Sequence, residues 1–146
     1  MKSSASQPQA LHMLILKKDQ ELFEEIIKYC NTHNIDGAQI TGIGALSHVE
    51  LGYYELGTKT YHRKNFGEQE FELLSLQGNI SEKDGDRFAH IHASLGDEDY
   101  KCWGGHLFTA KVAVTAEVFL QEIDVKPVRE HDESIGLHLI CRFQQA

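Results

Sequence analysis

One stretch of the chain repeats its apolar side chains at helical spacing. Leu22, Phe23, Ile26, Ile27 and Cys30 recur as one face of an amphipathic helix. Asp19 is a suitable N-cap, Glu21 falls in the first turn, and Asn34 to Gly37 supply the stop. Nearly everything else alternates or clusters as strands do. Residues 38–46 are apolar and punctuated by glycine, and 47–56 and 58–66 flank a turn at Gly57. Residues 71–80 carry Phe71, Leu73, Leu74 and Leu76, and Asp84-Gly85 is a two-residue hairpin signal leading into 88–95. Residues 112–123 are the most β-rich run and 135–143 form a last strand, with 129–133 between them read as a solvated charged loop. Many strands joined by short turns, with one main helix near the front, predict an α+β fold built on an antiparallel sheet. Residues 11–146 are expected to form a single domain behind a flexible polar segment, 1–10.

Composition narrows the possible partners. With 14 basic and 22 acidic side chains the formal net charge is −8, which opposes non-specific attraction to a phosphate backbone. No run approaches the ~20 apolar residues a membrane helix needs, and the apolar stretch 11–16 is too short for the core of a secretory signal. Cys30, Cys102 and Cys141 are odd in number and widely spaced, so they suggest neither a disulfide framework nor a CxxC motif. Reduced thiols packed as small hydrophobes in a cytoplasmic protein are the expectation.

The nine histidines are the unusual entry in this composition, and three of them fall in one informative stretch. On a strand, His90 and His92 emerge on the same face about 7 Å apart. If Glu98 is the apex of a three-residue turn, Gly104 lies opposite His92 and His106 opposite His90, within the ~4.5–5.5 Å of cross-strand neighbours. A bulge at Gly104-Gly105 would shift that register. An H-x-H pair alone is most often two half-exposed histidines; the third histidine across a hairpin adds weight to a metal site. Three neutral imidazoles leave a position of a divalent ion open, as in catalytic or ligand-binding centres. Zinc leads on ligand type, and iron, nickel and copper also suit imidazole.

Other residues offer less. In that register Cys102 is a fourth ligand, a thiol nucleophile or, better favoured, core packing. Glu72 and Glu117 lie among apolar strand residues, where a carboxylate acts as general base, orients a ligating histidine or simply points to solvent. Gly42-Ile43-Gly44 lacks the third glycine of a dinucleotide loop, which leaves close packing as its role. His12, His33, His48, His62, His131 and His138 show no ligand spacing and read as surface or structural histidines.

Taken in order, several segments resemble the plants-and-prokaryotes-conserved (PPC) domain family. They are Ile40-Thr41-Gly42-Ile43-Gly44-Ala45-Leu46, Leu51-Gly52-Tyr53-Tyr54, Glu72 through Ile80, His90-Ile91-His92-Ala93-Ser94-Leu95-Gly96-Asp97, Gly104-Gly105-His106-Leu107, and Thr115-Ala116-Glu117-Val118-Phe119. The resemblance implies an antiparallel α+β domain that assembles as a trimer, with a metal site at the positions of His90, His92 and His106 in bacterial and archaeal members. It also implies an aliphatic residue where this chain has Cys102. Plant members join the domain to AT-hook segments, and bacterial ones often carry a DNA-binding label by analogy. This sequence has no Arg-Gly-Arg-Pro-type hook. It reads Gln69-Glu70-Phe71-Glu72-Leu73-Leu74 where plant members place an arginine-containing contact segment. The expected function is thus a homotrimeric metal site that binds a small ligand or activates water, with Glu117 or Glu72 as base. The alternative is a DNA-binding or regulatory module.

Overall fold

The structure, a computed structural model, describes residues 3–145. Its one helix, α1 (Leu22–His33), starts two residues later than Asp19 suggests. Asp19 takes a left-handed φ of 70, and Glu21 is the N-cap, its carboxylate accepting from the Glu24 amide at 2.7 Å. Asn34 ends the helix in the left-handed conformation expected of a C-cap, φ 56, returning its N–H to the Cys30 carbonyl. The helix inserts Leu22, Ile26 and Cys30 into the core.

Eight strands make up the rest of the regular structure among the described residues: β1 (Pro8–Lys17), β2 (Ala38–Glu55), β3 (Thr60–Asn65), β4 (Phe71–Lys83), β5 (Asp86–Gly96), β6 (Cys102–Ile123), β7 (Val125–Asp132) and β8 (Leu137–Gln145). Within the polar first ten residues, positions 8–10 are already strand, and Ser6 and Gln7 ahead of them both bond the Asp124 carboxylate. The sheet order is β3-β2-β6-β5-β4-β7-β8, with β1 added on β6. Because β2 also pairs with β4, the strands β2, β6, β5 and β4 close a ring. Every pairing is antiparallel except the short β4–β7 contact, where Glu82 meets Val128 and Lys83 meets Arg129.

Glycine permits that closure. β2 is bordered by β4 and β6 together around Gly42-Ile43-Gly44, and the register slips there on the β4 side. A Cβ on Gly42 would come within 2.8 Å of the Glu117 carbonyl oxygen, and one on Gly44 would collide with that of Thr115. The fragment is a close backbone crossing, as its missing third glycine indicates.

Alternation gives β5 one buried face. On β5, Ala89, Ile91, Ala93 and Leu95 are buried with Leu76 and Ile80 of β4 and Leu107 of β6, so His90 and His92 point out of the ring. Asp84 and Gly85, both at positive φ, turn β4 into β5 as the hairpin signal requires. The stretch 129–133 corrects its reading as a solvated loop. Residues through Asp132 belong to β7, and Arg129 is only 8% exposed. A strand that buries an arginine among polar partners carries no apolar periodicity to announce it.

Candidate metal centre

The strands β5 and β6 meet through a longer turn than the sequence suggests. Asp97 organises it: its carboxylate accepts from the amides of Asp99 (3.0 Å) and Lys101 (2.9 Å) and from Trp103 Nε1 (2.8 Å), and its N–H bonds the Lys101 carbonyl. The loop therefore spans 97–101, and the register is His92 opposite His106, Ser94 opposite Gly104 and Gly96 opposite Cys102. This corrects by two residues the pairing that placed Gly104 opposite His92 and His106 opposite His90. A slip of two leaves every side chain on its original face, so the triad survives the correction.

The ring centroids of His90 and His92, of His90 and His106, and of His92 and His106 lie 5.1, 5.1 and 5.4 Å apart. One ring nitrogen from each forms a group with no two members farther apart than 4.8 Å. His90 and His106 are half-buried and His92 is exposed. Tyr61 and Phe108 flank His106 at 5.3 and 4.6 Å, and Arg63 covers the Phe108 ring at 3.6 Å. Gly52, opposite His106, makes room for Phe108, whose ring a Cβ would strike.

Burial, followed by the nearby Arg129 cation and the other two imidazoles, pushes His90 down from 6.5 to about 4. Burial first, then His92, Arg63 and Arg129, lowers His106 to about 4 as well. Both rings are therefore neutral at pH 7, the state in which imidazole ligates. His106 Nδ1 is buried with no hydrogen-bond partner, a nitrogen lone pair or N–H held out of water. Two nitrogens on one tetrahedral zinc lie about 3.4 Å apart, so closing the triad on an ion takes side-chain rotations of the order of an ångström. The donor set and its protonation state fit a divalent cation.

Sequence reasoning missed Arg129. Its guanidinium donates to Ser81 Oγ (2.9 Å), the His138 carbonyl (3.2 Å), Asn79 Oδ1 (3.0 Å) and His90 Nδ1 (3.2 Å). Its only trace in the sequence is an arginine following Pro127-Val128 inside a charged stretch.

Neither carboxylate considered as a base belongs to the triad's group of ligand atoms. Glu72 is exposed opposite Gly96, and Glu117 is half-buried between Ile15 of β1 and Ile43 of β2. Cys102 is exposed, which corrects its assignment to core packing, while Cys30 is buried. Of the remaining histidines, His12 bonds Tyr29 Oη (3.0 Å) and Glu122 (3.3 Å), and His33 stacks on Tyr29 at 4.1 Å, a structural cluster tying α1 to β1 and β6.

Known proteins share the fold. The family described as Plants and Prokaryotes Conserved (PCC) domain matches residues 3–124. The crystal structure of a plant- and prokaryote-conserved protein from Pyrococcus horikoshii is 34% identical with a TM-score of 0.89, covering 99% of each chain. A metal-containing protein from Archaeoglobus fulgidus is 36% identical with a TM-score of 0.91, over 97% of this chain and 100% of its own. A protein from Bacteroides thetaiotaomicron, provisionally named DNA-binding, is 25% identical with a TM-score of 0.83, over 92% and 95% of the two chains. Among curated proteins none matches the sequence.

Proposed function

From the chain's membership of the Plants and Prokaryotes Conserved domain family, we propose that it holds one divalent cation, zinc foremost, on His90, His92 and His106. The observation that carries this reading is the convergence of three imidazoles, two of them kept neutral by burial, within 4.8 Å. The metal-containing Archaeoglobus relative supports it. Three protein ligands leave a tetrahedral ion one open position, which takes a small anionic or carbonyl ligand or lowers the pKa of a water. Glu72 and Glu117 remain the carboxylates for proton transfer in the second case.

The functional unit in this reading is a homotrimer in the cytoplasm. An outward apolar row supports assembly: Leu11, Met13 and Ile15 of β1 are 62, 54 and 56% exposed, and Ile43 beside them is 54% exposed. Solvent-facing strands do not ordinarily carry such a row. The three thiols, none in a disulfide, accord with a reducing compartment.

Elemental analysis of the purified protein tests the metal. About one zinc per chain is expected, falling to background in His90→Ala. No ion above background, or full metal content in His90→Ala, overturns the proposal. The provisional name of the Bacteroides relative keeps DNA binding as a second reading. Duplex DNA titrated at two salt concentrations decides it, because phosphate-driven binding weakens steeply with salt. Absence of affinity at low salt removes that reading.

A further inference from the structure

A cavity of about 540 Å³ opens beside the triad, with His90, His106 and Arg129 in its wall. That volume lies within the roughly 300–1,000 Å³ typical of small-molecule sites. Two features of the wall specify what it takes. The first is charge: Lys83, Arg87 and Arg129 line it and no Asp or Glu does, in a chain where acidic residues outnumber basic ones by 22 to 14. Arg87 is already paired with Asp36 at 2.7 Å. Among the described residues Arg129 is paired with no carboxylate: its four bonds all go to neutral acceptors, while the residue is 8% exposed. A buried guanidinium without a counter-ion is costly, and an anion entering the cavity would relieve that cost. Four of the five guanidinium N–H groups are engaged, so one on Nη1 has no acceptor among the described residues. The second feature is apolar: Phe23 and Ile27 of α1, Phe88 of β5, and Leu137 and Leu139 of β8 share the same wall.

We propose that this cavity binds a small organic carboxylate with an apolar tail, its carboxylate received by Arg129 and its tail by Phe23, Ile27, Phe88 and Leu139. Arg129 Nη2 donates to His90 Nδ1 at 3.2 Å, which sets the guanidinium beside the triad, so a second oxygen close to the carboxylate is the ligand group placed toward the imidazoles. An oxygen on the carbon next to the carboxylate is the nearest such group, which makes 2-oxo and 2-hydroxy carboxylates the class proposed. The proposal rests on the metal reading for that second oxygen and on Arg129 alone for the charge.

The two contributions separate experimentally. The probes are 4-methyl-2-oxopentanoate and its uncharged primary amide, titrated calorimetrically into the full chain, zinc-loaded and chelator-treated, with zinc content measured on each sample. The acid is expected to bind the wild type at least about tenfold more tightly than the amide, the worth of one charge-assisted contact. That preference persists without zinc, although both affinities fall. Arg129→Gln erases the preference and Arg129→Lys restores part of it, each variant checked for folding by circular dichroism. The acid–amide comparison on the wild type needs no variant. Equal binding of acid and amide, an undiminished preference in a folded Arg129→Gln, or no acid binding up to about 10 mM overturns the proposal. A preference for the acid in protein that takes up no zinc overturns the metal reading and leaves this one standing. Stoichiometric zinc with no preference does the reverse.

Discussion

Nη2 of Arg129 donates to Nδ1 of His90 across 3.2 Å, setting a buried cation against one of the three converging imidazoles. A proton on that ring would face the guanidinium, and this repulsion is second only to burial in holding His90 at about 4. In Arg129→Gln, without metal, the His90 midpoint should rise toward 6.5 yet stay below it, because burial and the other two imidazoles remain. Following the ring proton resonances of His90 against pH reads this directly. An unmoved midpoint would show that the contact has no electrostatic weight.

The same shifts fix how metal-free protein responds to acid. His90 and His106 titrate at about 4 when folded and near 6.5 when unfolded, so between those values the unfolded chain binds more protons. Stability contributed by the neutral rings is complete above about pH 6.5 and is lost as pH falls through about 4. Denaturant melts of chelated protein should show a midpoint that drops across this window. The drop should lessen in His90→Phe, which has no ring proton to gain. A flat profile from pH 6.5 to 4 would contradict the burial of the triad.

Much of this arrangement is legible in the amino-acid sequence. Period-two alternation around Ile91 and Ala93 places His90 and His92 on one face, and Asp84-Gly85 fixes the hairpin that brings β4 beside them. The turn at 97–101 is not legible in detail, because one side chain, Asp97, gathers two amides and an indole N–H and so lengthens the loop beyond its acidic apex. The error of two residues is harmless to the triad only because it is even. Arg129 escapes for another reason: its burial depends on Ser81, Asn79 and His138, residues 9 to 50 positions away, and local hydropathy carries no record of such partners.

Gly78 ties strand pairing to the metal centre. It lies on β4 opposite Ile91, and a Cβ there would be driven into the carbonyl oxygen of His90. Backbone cannot move aside as a flexible side chain can, so Gly78→Ala should destabilise the fold by about 2–4 kcal/mol. It should also weaken zinc binding by displacing His90. Chemical denaturation and a competitive zinc titration measure the two effects. A variant of wild-type stability would mean that β4 and β5 are not so closely apposed.

Assembly should depend on the outward face of β1. Met13 and Ile15 lie opposite Phe119 and Glu117 of β6, and Glu117 lies opposite Ile43 on β2, so Ile15 and Ile43 flank the one carboxylate on a strip of exposed apolar side chains. Burying that strip against another copy removes apolar area from water at roughly 25 cal/mol per Å². The double substitution Met13→Glu, Ile15→Glu places two more carboxylates beside Glu117, where burial would leave like charges desolvated together. Sedimentation velocity should show trimer for the wild type and monomer for the double variant. Circular dichroism should stay unchanged, because neither side chain enters the core. A trimer that persists in the variant would move the interface to another face, and a wild type that sediments as monomer would remove the assembly from the proposal.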